Sequence, residues 1–118
     1  MTDSEAIMRK AVELSRRDKL PLIVFGRSLG GAASIHTLSQ PEFAYSAKAL
    51  ILENTFTSIF DVAYHLTPRP LLFLAPLLYL ITSNSYNSFG KFPKVKVPIL
   101  FIKGCRDLLI PKEQMDRL

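Results

Sequence analysis

The stretch from Pro21 to His36 reads PLIVFGRSLGGAASIH and divides into three parts. Residues 22–25 form a short apolar run of strand-favouring residues. Gly26 to Gly30 has the composition of a tight turn, and the small residues after it are compatible with a helix. The stretch therefore predicts a strand, a sharp turn and a helix over about 29–39. The helix should stop before Gln40-Pro41, because a residue that precedes proline disfavours helix.

The turn has the pattern Gly-x-Ser-x-Gly with Ser28 at its centre. Between a strand and a helix, this pattern indicates a nucleophile elbow, which holds a serine in strained backbone geometry. We expect Gly26 and Gly30 to be required, since the residues two before and two after the serine have little room for a side chain. The N–H of Leu29 and the positive end of the helix dipole would face an oxyanion formed beside Ser28. A chance match is the alternative, and the flanking strand and helix argue against it.

The rest of the chain alternates helices and strands. Residues 4–18 carry an apolar face at helical spacing. Two further apolar runs predict strands over 47–52 and 97–102, and the first is typical of a parallel strand covered on both faces. Further predictions are a helix from Thr55–Ser58 to about Leu66, an irregular cap-like insertion over 67–93, and a helix that starts at Ile110-Pro111. The predicted fold class is α/β, with three parallel strands flanked by helices in one domain over 1–118.

A polar residue follows each predicted strand: Ser28, Glu53 and Asp107. Because ligands bind at the carboxyl edge of such sheets, we expect these side chains to converge there. Asp107, in the loop 103–111, is the leading candidate for the acid that orients a catalytic base, and it follows Ser28 in the chain order typical of this elbow. Glu53 is the alternative acid, and its more natural role is to brace the turn by hydrogen bonds. The non-catalytic alternative for Asp107 is an exposed loop residue paired with a neighbouring cation.

The histidine base is the missing part of this constellation. His36 lies on the same predicted helix as Ser28, about 12 Å further along its axis, and cannot reach the serine hydroxyl. His65 precedes Asp107 and would need an unusual topology. Chain order predicts the base in a loop beyond Leu118. The sequence thus predicts that the 118 residues do not contain the catalytic histidine.

Composition excludes several other classes of function. The hydrophobic fraction of 48% is ample for a core, although 118 residues is short for this fold. The net charge of +5 is scattered, with no basic run and no basic–aromatic interleaving, so we expect no nucleic-acid partner. The single cysteine, Cys105, excludes an internal disulfide and fits a reducing compartment. Since metal-ligand spacing and phosphate-binding fingerprints are lacking, we expect no metal and no cofactor.

Two observations bear on localisation. Residues 1–5 are polar and resemble no signal peptide. The apolar run from Leu71 to Ile81 is interrupted by Pro76 and is too short to cross a bilayer. It predicts either an interfacial or substrate-cap segment or a buried helix. From these residues alone we expect a cytoplasmic location.

Three blocks resemble one known family: VFGRSLGGA (24–32), LILENTFTSI (50–59) and PILFIKGCRDLLIP (98–111). The chain resembles the Bem46-like α/β hydrolases, which include the α/β-hydrolase domain-containing protein 13 proteins. The second block is the most discriminating, since Gly-x-Ser-x-Gly occurs across the whole α/β-hydrolase superfamily. The resemblance covers about residues 5–118 and is weakest over 67–93, where a variable cap is expected.

The resemblance implies a serine hydrolase with an α/β-hydrolase fold, in which Ser28 matches the nucleophile and Asp107 the acid. The implied substrate is a small molecule or an acyl group bound through an ester, thioester or amide. The three strands would be the central portion of a larger sheet, and the upstream loop with the second oxyanion donor would be absent. Many relatives carry an N-terminal membrane anchor, so a longer form could associate with membranes. The alternative is an inactive fragment or pseudoenzyme that acts at most as a binding module, and we expect negligible activity from the 118 residues alone.

Overall fold

A computed structural model describes residues 3–55, 67–68, 70 and 88–104 of the chain. The predicted helix over 56–66, the apolar segment 71–81 and the final helix lie outside these residues. The elements in chain order are α1 (Asp3–Asp18), β1 (Ile23–Arg27), α2 (Leu29–Leu38), β2 (Ala49–Glu53), α3 (Ser88–Lys91), a 3-10 turn (Phe92–Lys94) and β3 (Ile99–Ile102).

The three strands form one parallel sheet in the order β1-β2-β3. In the register, Ile23 pairs with Ala49, and Leu50 pairs with Ile99. The Lys48 N–H donates to the carbonyl of residue 22 at 2.8 Å, so the ladder continues one step before the assigned strands. The predicted α/β class with a parallel sheet is confirmed, with β2 beginning two residues later than expected.

Side chains alternate between the two faces of the sheet. Leu50 and Leu52 are fully buried against Ile35 and Leu38 of α2, and the other members of this core are Met8, Phe43, Ala47 and Val97. On the opposite face the exposed fractions of four apolar residues are 44–56%; these residues are Ile23, Phe25, Leu100 and Ile102. Within the described residues, β2 is fully buried on the face of Leu50 and Leu52 and partly buried on the face of Ala49, Ile51 and Glu53.

Helix α1 follows its sequence closely. Acidic residues lie in its first turn and Arg16 and Arg17 in its last, as the helix dipole favours. Met8 is buried while Ile7 is 69% exposed, so the face that packs is narrower than the apolar stripe. The helix ends before Lys19, whose φ is 55°, and a left-handed residue commonly closes a helix in this way.

Residues 88–94 differ from the prediction of an irregular insertion over 67–93. They form α3 and the 3-10 turn. The ring of Phe92 lies 5.9 Å from that of Phe101 on β3, and it packs against the buried core. A helix of four residues that contains Gly90 and precedes Pro93 has little intrinsic propensity. Packing of the aromatic ring stabilises these turns, and helical periodicity could not reveal them.

Candidate active site

Ser28 is the single residue between the end of β1 and the start of α2. Its backbone has φ 50° and ψ −121°, the geometry of the first central residue of a type II′ turn, a position that glycine normally occupies. A non-glycine residue in such a conformation costs about 1–3 kcal/mol and persists only where its surroundings hold it. The predicted strained turn at Ser28 is thus present in the structure.

Four hydrogen bonds hold the backbone of Ser28. Its N–H donates to the carbonyl of Glu53 at 2.9 Å, and its carbonyl accepts from the N–H groups of Gly31 at 3.0 Å and Ala32 at 3.4 Å. The Thr55 hydroxyl donates to the same carbonyl at 3.0 Å. Within the described residues, the Ser28 hydroxyl makes no capping bond to α2, so it is not used as an ordinary helix cap.

Two glycines allow β1 and α2 to approach each other closely. A Cβ at Gly26 would lie 2.6 Å from the Cα of Gly31, and a Cβ at Gly31 would lie 2.5 Å from the Thr55 Oγ1. At Gly30, by contrast, no atom of the described residues lies within 4 Å of the Cβ position. The steric expectation is met at Gly26 but not at Gly30, and Gly31 is the second glycine that this packing requires.

Leu29 begins α2, and its side chain is 50% exposed. The first N–H groups of a helix have no acceptor within the helix, and the dipole makes that end partly positive. An anion beside the Ser28 hydroxyl would therefore meet a favourable electrostatic field. The role of the Leu29 N–H as an oxyanion donor stays a prediction.

Glu53 ends β2 directly beside the Ser28 turn, by which we mean Gly26–Gly30. Its carbonyl accepts the Ser28 N–H, as the bracing interpretation expected. Its carboxylate lies 3.8 Å from the guanidinium of Arg27, and the exposed fractions of these two side chains are 29% and 69%. Arg27 and Glu53 are register partners, so both side chains lie on the sheet face opposite the buried core.

The chain beyond β2 also contacts the end of β3. Asn54 has φ 43°, a conformation that asparagine tolerates better than most residues. Its N–H donates to the carbonyl of Ile102 at 3.0 Å, and its Oδ1 accepts the N–H of Gly104 at 2.6 Å. Asp107 lies outside the described residues, as do Cys105 and His65, so their predicted roles stay predictions.

His36 lies in the last turn of α2, away from Ser28, as the sequence indicated. Its Nε2 is 3.9 Å from a carboxylate oxygen of Glu5 on α1, and its Nδ1 is buried with no hydrogen-bond partner among the described residues. Burial lowers the pKa of His36 below its ordinary value, and the nearby charge of Lys91 lowers it further, while Glu5 opposes both. His36 belongs to the contact between α1 and α2.

Sequence reasoning missed three residues of this site: Gly31, Asn54 and Thr55. The sequence predicts Thr55 only at the start of a following helix, and the structure adds that its fully buried hydroxyl donates to the Ser28 carbonyl. The available signal was position, because polar residues that follow a central parallel strand lie where such sheets build their sites. Over the described ranges, no group of three His, Cys, Asp or Glu side chains could hold a metal ion.

Comparison with known proteins identifies the relatives of this chain. No protein-family model matches it. It is 36% identical over 109 residues to the α/β-hydrolase domain-containing protein WAV2 of Arabidopsis thaliana, a match that covers 86% of this chain and 34% of the relative. It is 32% identical over 114 residues to protein bem46 of Schizosaccharomyces pombe, covering 96% of this chain and 36% of that protein.

A third relative is an uncharacterized membrane protein of Saccharomyces cerevisiae, 30% identical over 98% of this chain and 39% of its own length. The chain thus spans between a third and two fifths of the curated relatives it matches. Among the helices the structure describes, none is both long and apolar enough to traverse a membrane.

Two solved structures share the fold. The esterase domain of a Rhodothermus marinus protein superimposes with a TM-score of 0.65 at 20% identity, covering 98% of this chain and 51% of that one. The α/β hydrolase MGS-MChE2, from a metagenome of sediments of the Mar Chica lagoon in Morocco, gives a TM-score of 0.59 at 21% identity, covering 97% and 52%. The solved structures show the fold, and the curated relatives show the family. The chain belongs to the Bem46-like group of the α/β-hydrolase superfamily.

Proposed function

We propose that this protein is a serine hydrolase that cleaves ester, thioester or amide bonds through an acyl-serine intermediate on Ser28. The Ser28 Oγ attacks the carbonyl carbon of the substrate, and its proton passes to a histidine. The alcohol, thiol or amine then leaves with that proton. Water, deprotonated by the same histidine, releases the carboxylic acid and restores the serine.

One observation carries this proposal: the backbone of Ser28 is held at φ 50° and ψ −121° between a parallel strand and the start of a helix. A nucleophile elbow exposes its serine hydroxyl at a strained junction of this kind, which supports the proposal. Its hydroxyl is free of the cap role, and the field of α2 would stabilise the oxyanion of the tetrahedral intermediate, with the Leu29 N–H as donor. A purely structural residue at this position would be less strained as glycine, so the presence of serine supports a chemical role.

We assign the acid to Asp107, which follows β3 in the chain and would hold the histidine in the required tautomer. Glu53 is the alternative acid, but its carboxylate lies beside Arg27 on the sheet face opposite α2. We assign the base to a histidine outside residues 1–118, because His36 lies in the last turn of α2, away from Ser28, and His65 precedes Asp107 in the chain. The variable cap is proposed only for the part of the insertion before residue 88, because residues 88–94 form α3 and the 3-10 turn and pack against the core.

For the substrate we propose a small acyl compound and no nucleic acid. The fold neighbour from Rhodothermus marinus is named an esterase domain, which supports the ester class. The relative from Saccharomyces cerevisiae is named a membrane protein, which supports membrane association of a longer form. No cofactor is needed for this chemistry.

The test is labelling by a fluorophosphonate, which forms a bond to an activated serine and loses fluoride. It is applied to the protein as expressed from its own gene, with mapping of the modified residue by peptide mass spectrometry. We expect labelling of Ser28 that Ser28→Ala abolishes and that Ser46→Ala, a serine bonded to the Phe43 carbonyl, leaves unchanged. Labelling that survives in Ser28→Ala contradicts the proposal. Absence of labelling in the unmodified protein favours the pseudoenzyme alternative, a binding module without turnover.

A further inference from the structure

The segment Glu53–Thr55 touches two parts of the site at once. On one side Thr55 is fully buried, and its hydroxyl donates to the Ser28 carbonyl at 3.0 Å. Its side chain also sits where α2 starts, since a Cβ on Gly31 would lie 2.5 Å from its Oγ1. The hydroxyl of Thr55 thus adds a side-chain donor to a carbonyl that already accepts two helical N–H groups.

On its other side the segment forms hydrogen bonds with the backbone at the end of β3 and just after it. Asn54 donates its N–H to Ile102 and accepts the N–H of Gly104, so it holds the backbone on both sides of residue 103. Gly104 fits because it lacks a side chain: a Cβ there would lie 3.0 Å from the Asn54 Nδ2. The left-handed φ of 43° at Asn54 allows its backbone and its side chain to serve the same strand end.

We propose that Thr55 and Asn54 are positioning residues: Thr55 holds the strained backbone of Ser28, and Asn54 holds the start of the loop that leads to Asp107. The inference rests on the proposed function, in which Ser28 and Asp107 act together. A strained residue keeps its conformation only where neighbouring bonds over-determine it, and Thr55 supplies one such bond from another element. A serine and an acid that follow two different strands need a shared anchor to keep a fixed distance, and β2 lies between those strands.

Matched variants separate each hydrogen bond from the side-chain volume. Thr55→Val keeps the shape and removes the hydroxyl, and Thr55→Ser keeps the hydroxyl. Asn54→Gly keeps the left-handed backbone and removes the acceptor, and Asn54→Asp keeps an oxygen acceptor. Each variant is made in the protein as expressed from its own gene. The readouts are amide hydrogen exchange and the pH dependence of the rate of fluorophosphonate labelling.

For Thr55→Val we expect exchange at the amides of Ser28 and Gly31 to accelerate about tenfold, the effect of losing one buried hydrogen bond. The labelling rate should fall by a similar factor with its pH midpoint unchanged, because the variant acts on the nucleophile. For Asn54→Gly we expect faster exchange at Gly104 and a labelling midpoint about half a pH unit lower, since a displaced carboxylate stabilises the imidazolium less. Thr55→Ser and Asn54→Asp should stay within about threefold of the wild type in rate.

Equal loss in Thr55→Val and Thr55→Ser would assign the effect to packing and overturn the role of the hydroxyl. An unchanged pH midpoint in Asn54→Gly would overturn the link to Asp107. If the wild type fails to label, the proposed function fails. Exchange alone then decides the anchoring, and unchanged exchange at Ser28 and Gly104 in the two disruptive variants refutes it.

Discussion

Alanine at Gly31 tests how tightly α2 is packed against the end of β2. The added Cβ would lie 2.5 Å from the Thr55 Oγ1, 2.7 Å from the Thr55 Cβ and 3.3 Å from the Gly26 carbonyl oxygen. Comfortable contacts between such atoms are about 3.5 Å or more, so the overlap with Thr55 approaches about 1 Å. Thr55 is fully buried, and its hydroxyl is engaged with Ser28, so it cannot move aside without breaking that bond.

The expected cost follows from two opposing terms. Overpacking a buried site costs about 1–3 kcal/mol, and two contacts below 3 Å place this one near the upper end. Replacing a helical glycine by alanine recovers about 1 kcal/mol. Gly31→Ala should therefore lower the free energy of unfolding by about 2 kcal/mol. Gly30→Ala is the matched control, since no described atom lies near its Cβ position and its φ is negative.

The measurement is urea unfolding of both variants and the wild type, monitored by far-ultraviolet circular dichroism. The midpoints are compared with one common slope of the free energy of unfolding against urea concentration. We expect the order Gly30→Ala, wild type, Gly31→Ala from most to least stable, with about 3 kcal/mol between the two variants. A Gly31→Ala protein as stable as Gly30→Ala would refute the close approach of α2 to Thr55. It would also weaken the basis for the anchoring role of that residue.

Two further predictions concern ionisable groups. The pKa of His36 is lowered in the folded state, so the unfolded chain binds this proton more readily. The free energy of unfolding therefore does not depend on His36 above about pH 6.5, and it declines as the pH falls below that value. His36→Asn should flatten urea midpoints measured between pH 7.5 and 5, and an unchanged slope would contradict this origin. Asp107→Asn should lower turnover about 10⁴-fold, whereas Glu53→Gln, which loses only a partly exposed pair with Arg27, should stay within about threefold. The reverse result would make Glu53 the acid.

The fold was predictable where residues repeat a simple local rule. The apolar run before Ser28 and the small residues after it gave β1 and α2 to within two residues at each end. Continuous apolar runs predicted β2 and β3. The alternation of these runs with predicted helices indicated that the strands are parallel, as the structure shows. The helical turns at 88–94 were not predictable, because the Phe92 ring that stabilises them packs on Phe101 and the core after the sheet has formed.

Some residues of the candidate site could also be predicted from local sequence, whereas others depend on tertiary packing. Ser28 could be identified because its turn has a local pattern, and the need for space at Gly26 follows from that turn. The importance of Gly31 over Gly30 depends on which side of α2 faces Thr55, a fact of tertiary packing. Thr55 and Ser28 are 27 residues apart in the sequence, so no short-range rule predicts the hydrogen bond between them.

The backbone of Ser28 has a consequence for how the protein responds to selection. Its φ and ψ are those that glycine adopts without strain, so serine lowers the stability of the fold at this position. A laboratory selection for heat resistance alone would favour glycine here and give a sturdier protein without a nucleophile. Thermal tolerance and chemical competence therefore make opposite demands on a single side chain, and only a screen that reads both would retain the hydroxyl.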